Sequence, residues 1–265
     1  MKTSFLILLF MLAACANWLV AQHLPAKQPE MVIIPAGKYF PQFLDDEPTN
    51  MDSFLMDRLP VTNEDFKRFV TENPQWAKAS VKRLFADENY LKHWDDKKPF
   101  GPHPAKAAVV NVSWFAALRY CECQGKRLPT TAEWEYVAEA GHNRPDGKNE
   151  PGFYNLLLEF MSEPLPGKLP PAGTTLLNYY GVWDIHGVVF EWTYDFNSAL
   201  TTGESRADTG SGNALFCGGG SLQTRDPANY AAFLRHAMRT SLRAKNTVKS
   251  LGFRCAKDLQ TENSR

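Results

Sequence analysis

The chain has 265 residues, 44% of them hydrophobic, with 29 Lys and Arg balanced by 29 Asp and Glu. Ordinary apolar content without repeats or low-complexity segments excludes a disordered, collagen-like or multi-span membrane protein and points to one folded domain. A formal net charge of +0 gives no electrostatic basis for a nucleic-acid partner or an anionic membrane surface.

Lys2, followed by the apolar run from Phe5 through Ala14 and on to Leu19 and Val20, has the basic and hydrophobic regions of a secretory leader. Hydrophobicity continuing past Cys15 favours a signal peptide over residues 1–21, cut after Ala21, with a mature domain over 22–265. The competing reading is a lipoprotein cut before Cys15 in Leu12-Ala13-Ala14-Cys15. A retained anchor is disfavoured, since the run barely reaches the ~20 apolar residues that spanning requires. Either processing route predicts a periplasmic or secreted protein with no transmembrane segment in its mature part. In that oxidising compartment Cys121, Cys123, Cys217 and Cys255 are available to pair.

Met31-Val32-Ile33-Ile34-Pro35-Ala36-Gly37-Lys38-Tyr39-Phe40 reads as a strand broken by Pro35 and Gly37, then resumed. Thr62 or Asn63 can cap a helix over 64–71 whose apolar face is Phe66, Phe69 and Val70, and Asn73-Pro74 stops it. Residues 75–108, rich in Lys, Asp, Pro and aromatics without periodicity, predict a long surface excursion. Val112-Ser113-Trp114 leads into a helix burying Ala116, Ala117, Leu118 and Tyr120. Thr130, with Glu133 three residues on, caps another. Beyond Gly141 a helical turn is expected at 156–161, then short strands among Gly-rich turns. Few helices and irregular connections predict an α+β domain dominated by loops.

Several blocks stand in a specific order: Met31-Val32-Ile33-Ile34-Pro35-Ala36-Gly37, Pro60-Val61-Thr62-Asn63, Gly125-Lys126-Arg127-Leu128-Pro129-Thr130, Glu133-Trp134-Glu135-Tyr136, Tyr180-Gly181-Val182-Trp183-Asp184, Glu191-Trp192, Gly219-Gly220-Ser221 and Leu251-Gly252-Phe253-Arg254-Cys255. Together, over about 31–258, they resemble the formylglycine-generating-enzyme, or sulfatase-modifying-factor, family. The resemblance implies a C-type-lectin-like α+β fold with little regular structure, usually carrying calcium. It does not by itself imply formylglycine synthesis.

The family's oxidase uses a cysteine pair downstream of Gly-Gly-Ser to bind copper(I), a soft ion suited to thiolates. Counting forward from Ser221 puts that pair at Thr224 and Asn229; counting back from Gly252 puts it at Asp226 and Ala231. Residues 222–254 contain no cysteine, so no copper and no formylglycine synthesis are expected. The iron-dependent branch needs an added helical domain for which the chain has no room. The histidines, His23, His93, His103, His142, His186 and His236, lack metal-ligand spacing. Asp195-Phe196-Asn197-Ser198-Ala199-Leu200, Gly203-Glu204-Ser205-Arg206, residues 229–235 and Arg239-Thr240-Ser241-Leu242 look like the exported, cysteine-lacking branch linked to copper nitrite reductase clusters and to pyoverdine maturation.

The resemblance also implies a disulfide between Cys121 and Cys255. Cys123 and Cys217 are left either as a second disulfide, as unpaired thiols, or as a redox site beside Gly218-Gly219-Gly220. Glu191 matches the family's calcium-loop carboxylate, but Val188 stands where that loop has Asn, leaving main-chain carbonyls and Asn178 as further candidates. Trp134, Trp183 and Trp192 are expected to pack the core. Arg235, Arg239 and Arg243 recur at helical spacing and could bind a carboxylate or phenolate, with Asp226 as proton acceptor and His236 as proton-transfer group; solvated or core-bridging arginines are the alternative. The reading is a divergent member acting in oxidative maturation of a periplasmic small molecule or metalloprotein, or else a non-enzymatic binding or assembly module on the same scaffold.

Overall fold

The computed structural model describes residues 30–40, 48–163, 165–197 and 227–259, with residues 227–229 as backbone alone. Strands β1 (Met31–Ile34), β2 (Gly37–Tyr39), β3 (Thr49–Met51) and β4 (Phe54–Asp57) come first, followed by helix α1 (Asn63–Glu72). Helices α2 (Trp114–Cys123), α3 (Thr131–Ala138) and α4 (Phe153–Ser162) occupy the middle. Strand β5 (Phe190–Glu191), helix α5 (Pro227–Thr240) and strands β6 (Leu251–Gly252) and β7 (Ala256–Asp258) complete the described chain. Short strands, few helices and long irregular connections make this the expected loop-rich α+β fold.

The two ends of the described chain meet in its three-stranded sheet, where β4 is flanked by β1 and β7, both antiparallel, with Met31 opposite Asp57 and Phe54 opposite Asp258. A Cys121–Cys255 disulfide spans 134 residues and ties the end of α2 to the chain just before β7. Helix starts follow local chemistry. Thr62 and Asp65 form a reciprocal capping box at α1, Thr130 and Glu133 another at α3, and the Ser113 hydroxyl accepts from Ala116 N at 3.2 Å to cap α2.

Residues 75–108 are more than the surface excursion expected of them. Ala86, Tyr90, Leu91 and Trp94 are buried in one core with Phe66, Phe69, Trp192 and Phe253, because a domain with short helices fills its interior from its loops. The expected turn at 156–161 is a ten-residue helix, α4, packed on α5 through Phe153, Leu157 and Ala231.

Candidate functional site

The arginines singled out in the sequence lie on α5 and face α3. Glu135 of α3 is buried, and its carboxylate accepts from Arg235 Nε at 3.0 Å and Nη2 at 2.6 Å and from Arg239 Nη1 at 2.6 Å. The Arg239 guanidinium also lies over the Trp134 ring, 4.8 Å from its centroid. Burial alone would raise the Glu135 pKa, but the two guanidinium charges outweigh it and hold the carboxyl down at about 2. Two cations share one anion here, and Arg235 Nη1 is buried without a partner. Tyr39 stands close by, its phenol pushed up by burial and then by Glu135. Arg235 and Arg239 are therefore core-bridging groups, not the substrate-facing pair considered above. His236 is half-buried on the same helix, Arg243 is exposed beyond its end, and Asp226 lies outside the described residues.

A second buried ion pair adjoins the first through Trp134, whose indole N–H donates to Glu191 Oε2 at 2.7 Å. Arg254, fully buried, donates to Glu191 Oε2 through Nε at 2.7 Å and to Oε1 through Nη2 at 2.8 Å. Its remaining donors reach the carbonyls of Asp57 at 3.2 Å and Trp183 at 2.9 Å. From Arg254 to Glu191, Trp134, Arg239, Glu135 and Arg235 the interior thus carries one continuous line of polar groups. His186 borders it, donating Nε2–H to Ala138 O at 2.7 Å; burial, then Arg235, holds its pKa down at about 4.

The residues considered for calcium do not form a ligand set. Both Glu191 oxygens face the Arg254 guanidinium. Asn178 Oδ1 accepts from Tyr180 N at 3.1 Å and Val182 N at 3.0 Å, while its amide donates to Val137 O at 2.9 Å. Val188 is buried in an apolar cluster with Ala107, Ala108, Val110 and Leu169. Calcium takes about six to eight oxygens, and the side-chain oxygens of Glu191 and Asn178 are already committed inside the protein. Among the described residues no group of three or more His, Cys, Asp and Glu side chains could hold a metal.

Cys121 and Cys255 pair as the resemblance implied. Cys123 is a free, exposed thiol among the described residues, 4.0 Å from Asn73 Oδ1, and Cys217, its candidate partner, lies outside them. Of the two placements for the oxidase pair, the one using Ala231 falls on a fully buried residue in the α4–α5 contact. Sequence reasoning missed Glu135 and Arg254. The available signal was Glu135 beside core-packing Trp134 on a helix also bearing the capping Glu133.

The domain description "Sulfatase-modifying factor enzyme 1-like domain" matches residues 19–259. The chain is 30% identical to the formylglycine-generating enzyme of Mus musculus, over 88% of this chain and 76% of that one. It is equally, 30%, identical to the inactive C-alpha-formylglycine-generating enzyme 2 of Bos taurus, over 85% of this chain and 87% of that one, so identity alone does not separate active from inactive relatives. A solved structure, that of CarF, superposes with a TM-score of 0.50 at 16% identity, covering 87% of this chain and 98% of that one. The chain belongs to the sulfatase-modifying-factor, or formylglycine-generating-enzyme-like, family.

Proposed function

We propose that this protein does not make formylglycine and serves instead as an exported binding or assembly module in the maturation of a periplasmic small molecule or metalloprotein. The observation that carries the reading is the state of the stretch that would hold the oxidase thiols. Residues 222–254 have no cysteine, and its helical part, α5, is packed down on α3 and α4 with Ala231, Arg235 and Arg239 buried. Without thiols in this stretch the oxidase's soft-ligand site for copper(I) is missing there, and arginines committed to Glu135 are not available to a substrate anion.

The test incubates the purified mature domain with copper, oxygen and a sulfatase-motif peptide and follows the peptide cysteine by mass spectrometry. Unchanged cysteine is expected; conversion to the aldehyde overturns the proposal. Export is tested separately by the N-terminus of the cell-made protein: Gln22 reports signal-peptide cleavage, and a lipid-modified Cys15 reports the anchored form.

A further inference from the structure

A cleft of about 490 Å³ opens between the 87–93 turn, Asn111 and the 242–249 loop, away from the α3–α5 cluster. That volume lies in the range of small-molecule sites, about 300–1,000 Å³. Asn111 in its wall, at φ 56°, is one of the three non-glycine residues with positive φ among those described, and Leu91, buried in the core at φ 46°, is another. They are joined directly, Leu91 N donating to Asn111 O at 2.8 Å. A left-handed conformation is a genuine outlier for a residue such as leucine, and strain of this kind concentrates at functional sites. His93 lines the same wall, and its buried ring nitrogens make no hydrogen bond of good geometry, with the Asn111 side chain as the neighbour that interacts with the ring. Groups so placed are normally satisfied.

Charge narrows the occupant. Asp87 is saturated: it accepts from Asn89 N at 3.0 Å, Thr247 N at 3.1 Å, Asn246 Nδ2 at 3.4 Å and the Thr247 hydroxyl. Lys92 and Lys249 are exposed and form no ion pair among the described residues. Lys92 Nζ bonds only the neutral Asn89 Oδ1, at 3.3 Å. Burial and then the neighbouring His103 hold the His93 pKa down at about 4, so the ring is neutral at neutral pH and the positive charge is that of the lysines. Leu242 and Val248 supply an apolar surface between them.

We propose that this cleft binds a small organic carboxylate with a flat apolar body, the carboxylate toward Lys92 and Lys249 and the body against Leu242 and Val248. The inference deepens the binding-module reading by giving it a ligand class. The two fail separately: peptide aldehyde formation overturns that reading, and the titration below addresses this one.

The test is calorimetric titration of the mature protein with 2-naphthoate and with its neutral isostere 2-naphthamide, at low and physiological salt. Naphthoate is expected to bind about tenfold or more tightly than the amide, weakening with salt. Lys92→Ala/Lys249→Ala, at two exposed positions, is expected to cost naphthoate about tenfold while leaving the amide and the melting temperature unchanged. The His93 ring resonances are expected to shift on titration. Equal binding of acid and amide, naphthoate binding indifferent to the double substitution, or no binding at millimolar concentration each overturns the proposal.

Discussion

Glu135→Gln keeps the shape of the buried carboxylate and removes its charge, which leaves the Arg235 and Arg239 guanidinia facing one another across a neutral amide. A carboxyl ordinarily near 4.5 and held at about 2 in the native state contributes on the order of 3 kcal/mol at neutral pH. Removing one partner of a buried ion pair costs about 3–5 kcal/mol by an independent route, so the two agree. The sign is fixed by linkage. Because the folded pKa is the lower one, this stability is complete above the unfolded value and is lost as pH falls from about 4.5 toward about 2. Urea unfolding of wild type and Glu135→Gln between pH 7 and pH 3 reads it directly. The gap should be about 3–5 kcal/mol at neutral pH and narrow in the acid window. If the single variant does not fold, Glu135→Leu/Arg235→Met/Arg239→Met should, because exchanging a whole buried ion cluster for apolar groups of similar volume is often neutral or stabilising. A gap below about 1 kcal/mol, or one that does not change with pH, would refute the assignment of the triad as a buried structural element.

The remaining predictions address other parts of the molecule. Between about pH 6.5 and 4 the loss of stability should come chiefly from His186 and His93, whose unfolded forms protonate first; His186→Phe should flatten that part of the profile, and an unchanged slope would count against it. Closing a loop of 134 residues contributes about 5 kcal/mol in the chain-entropy model, so Cys121→Ala/Cys255→Ala should melt far below wild type by calorimetry. Iodoacetamide should label Cys123 in the folded protein without reductant, and a Cys123–Cys217 peptide in a non-reducing digest would contradict the free thiol. Asp184, at φ 56°, accepts from Gly173 N, Thr175 N, the Thr175 hydroxyl and Leu176 N. Asp184→Asn tolerates that backbone and should cost about 1–3 kcal/mol in urea unfolding for the lost charge-assisted bonds, less than Asp184→Ala, which adds backbone strain.

Local chemistry was the most legible part of the sequence. The Thr62 and Thr130 caps, the apolar face of Phe66, Phe69 and Val70, and the buried Trp134 and Trp192 all stand where pattern placed them. Cys121–Cys255 came from family likeness, since spacing alone does not choose among pairings. Ion-pair partners were not legible, because Glu135 meets Arg235 across 100 residues and Glu191 meets Arg254 across 63. Arg235 and Arg239 were noticed for their helical spacing, and of the two readings left open for them the structure shows the core-bridging one. A charge pattern marks a helix face but does not say whether that face meets a cleft or another helix. Trp94 and Tyr90 were hidden for a related reason: an aperiodic loop gives no sign of which side chains turn inward.

The way the two ends of the described chain share β4 sets a limit on when folding can finish. Residues 254–258 alone bring the guanidinium for Glu191, half of the disulfide and an edge strand. Contacts of such sequence separation slow folding and resist completion in fragments. A nascent chain not yet extended to residues 254–258 would hold a buried acid without its cation and a sheet without its closing strand. The domain should therefore remain a loose, protease-sensitive polypeptide until residues 254–258 have been made, and tighten in one late step that they trigger.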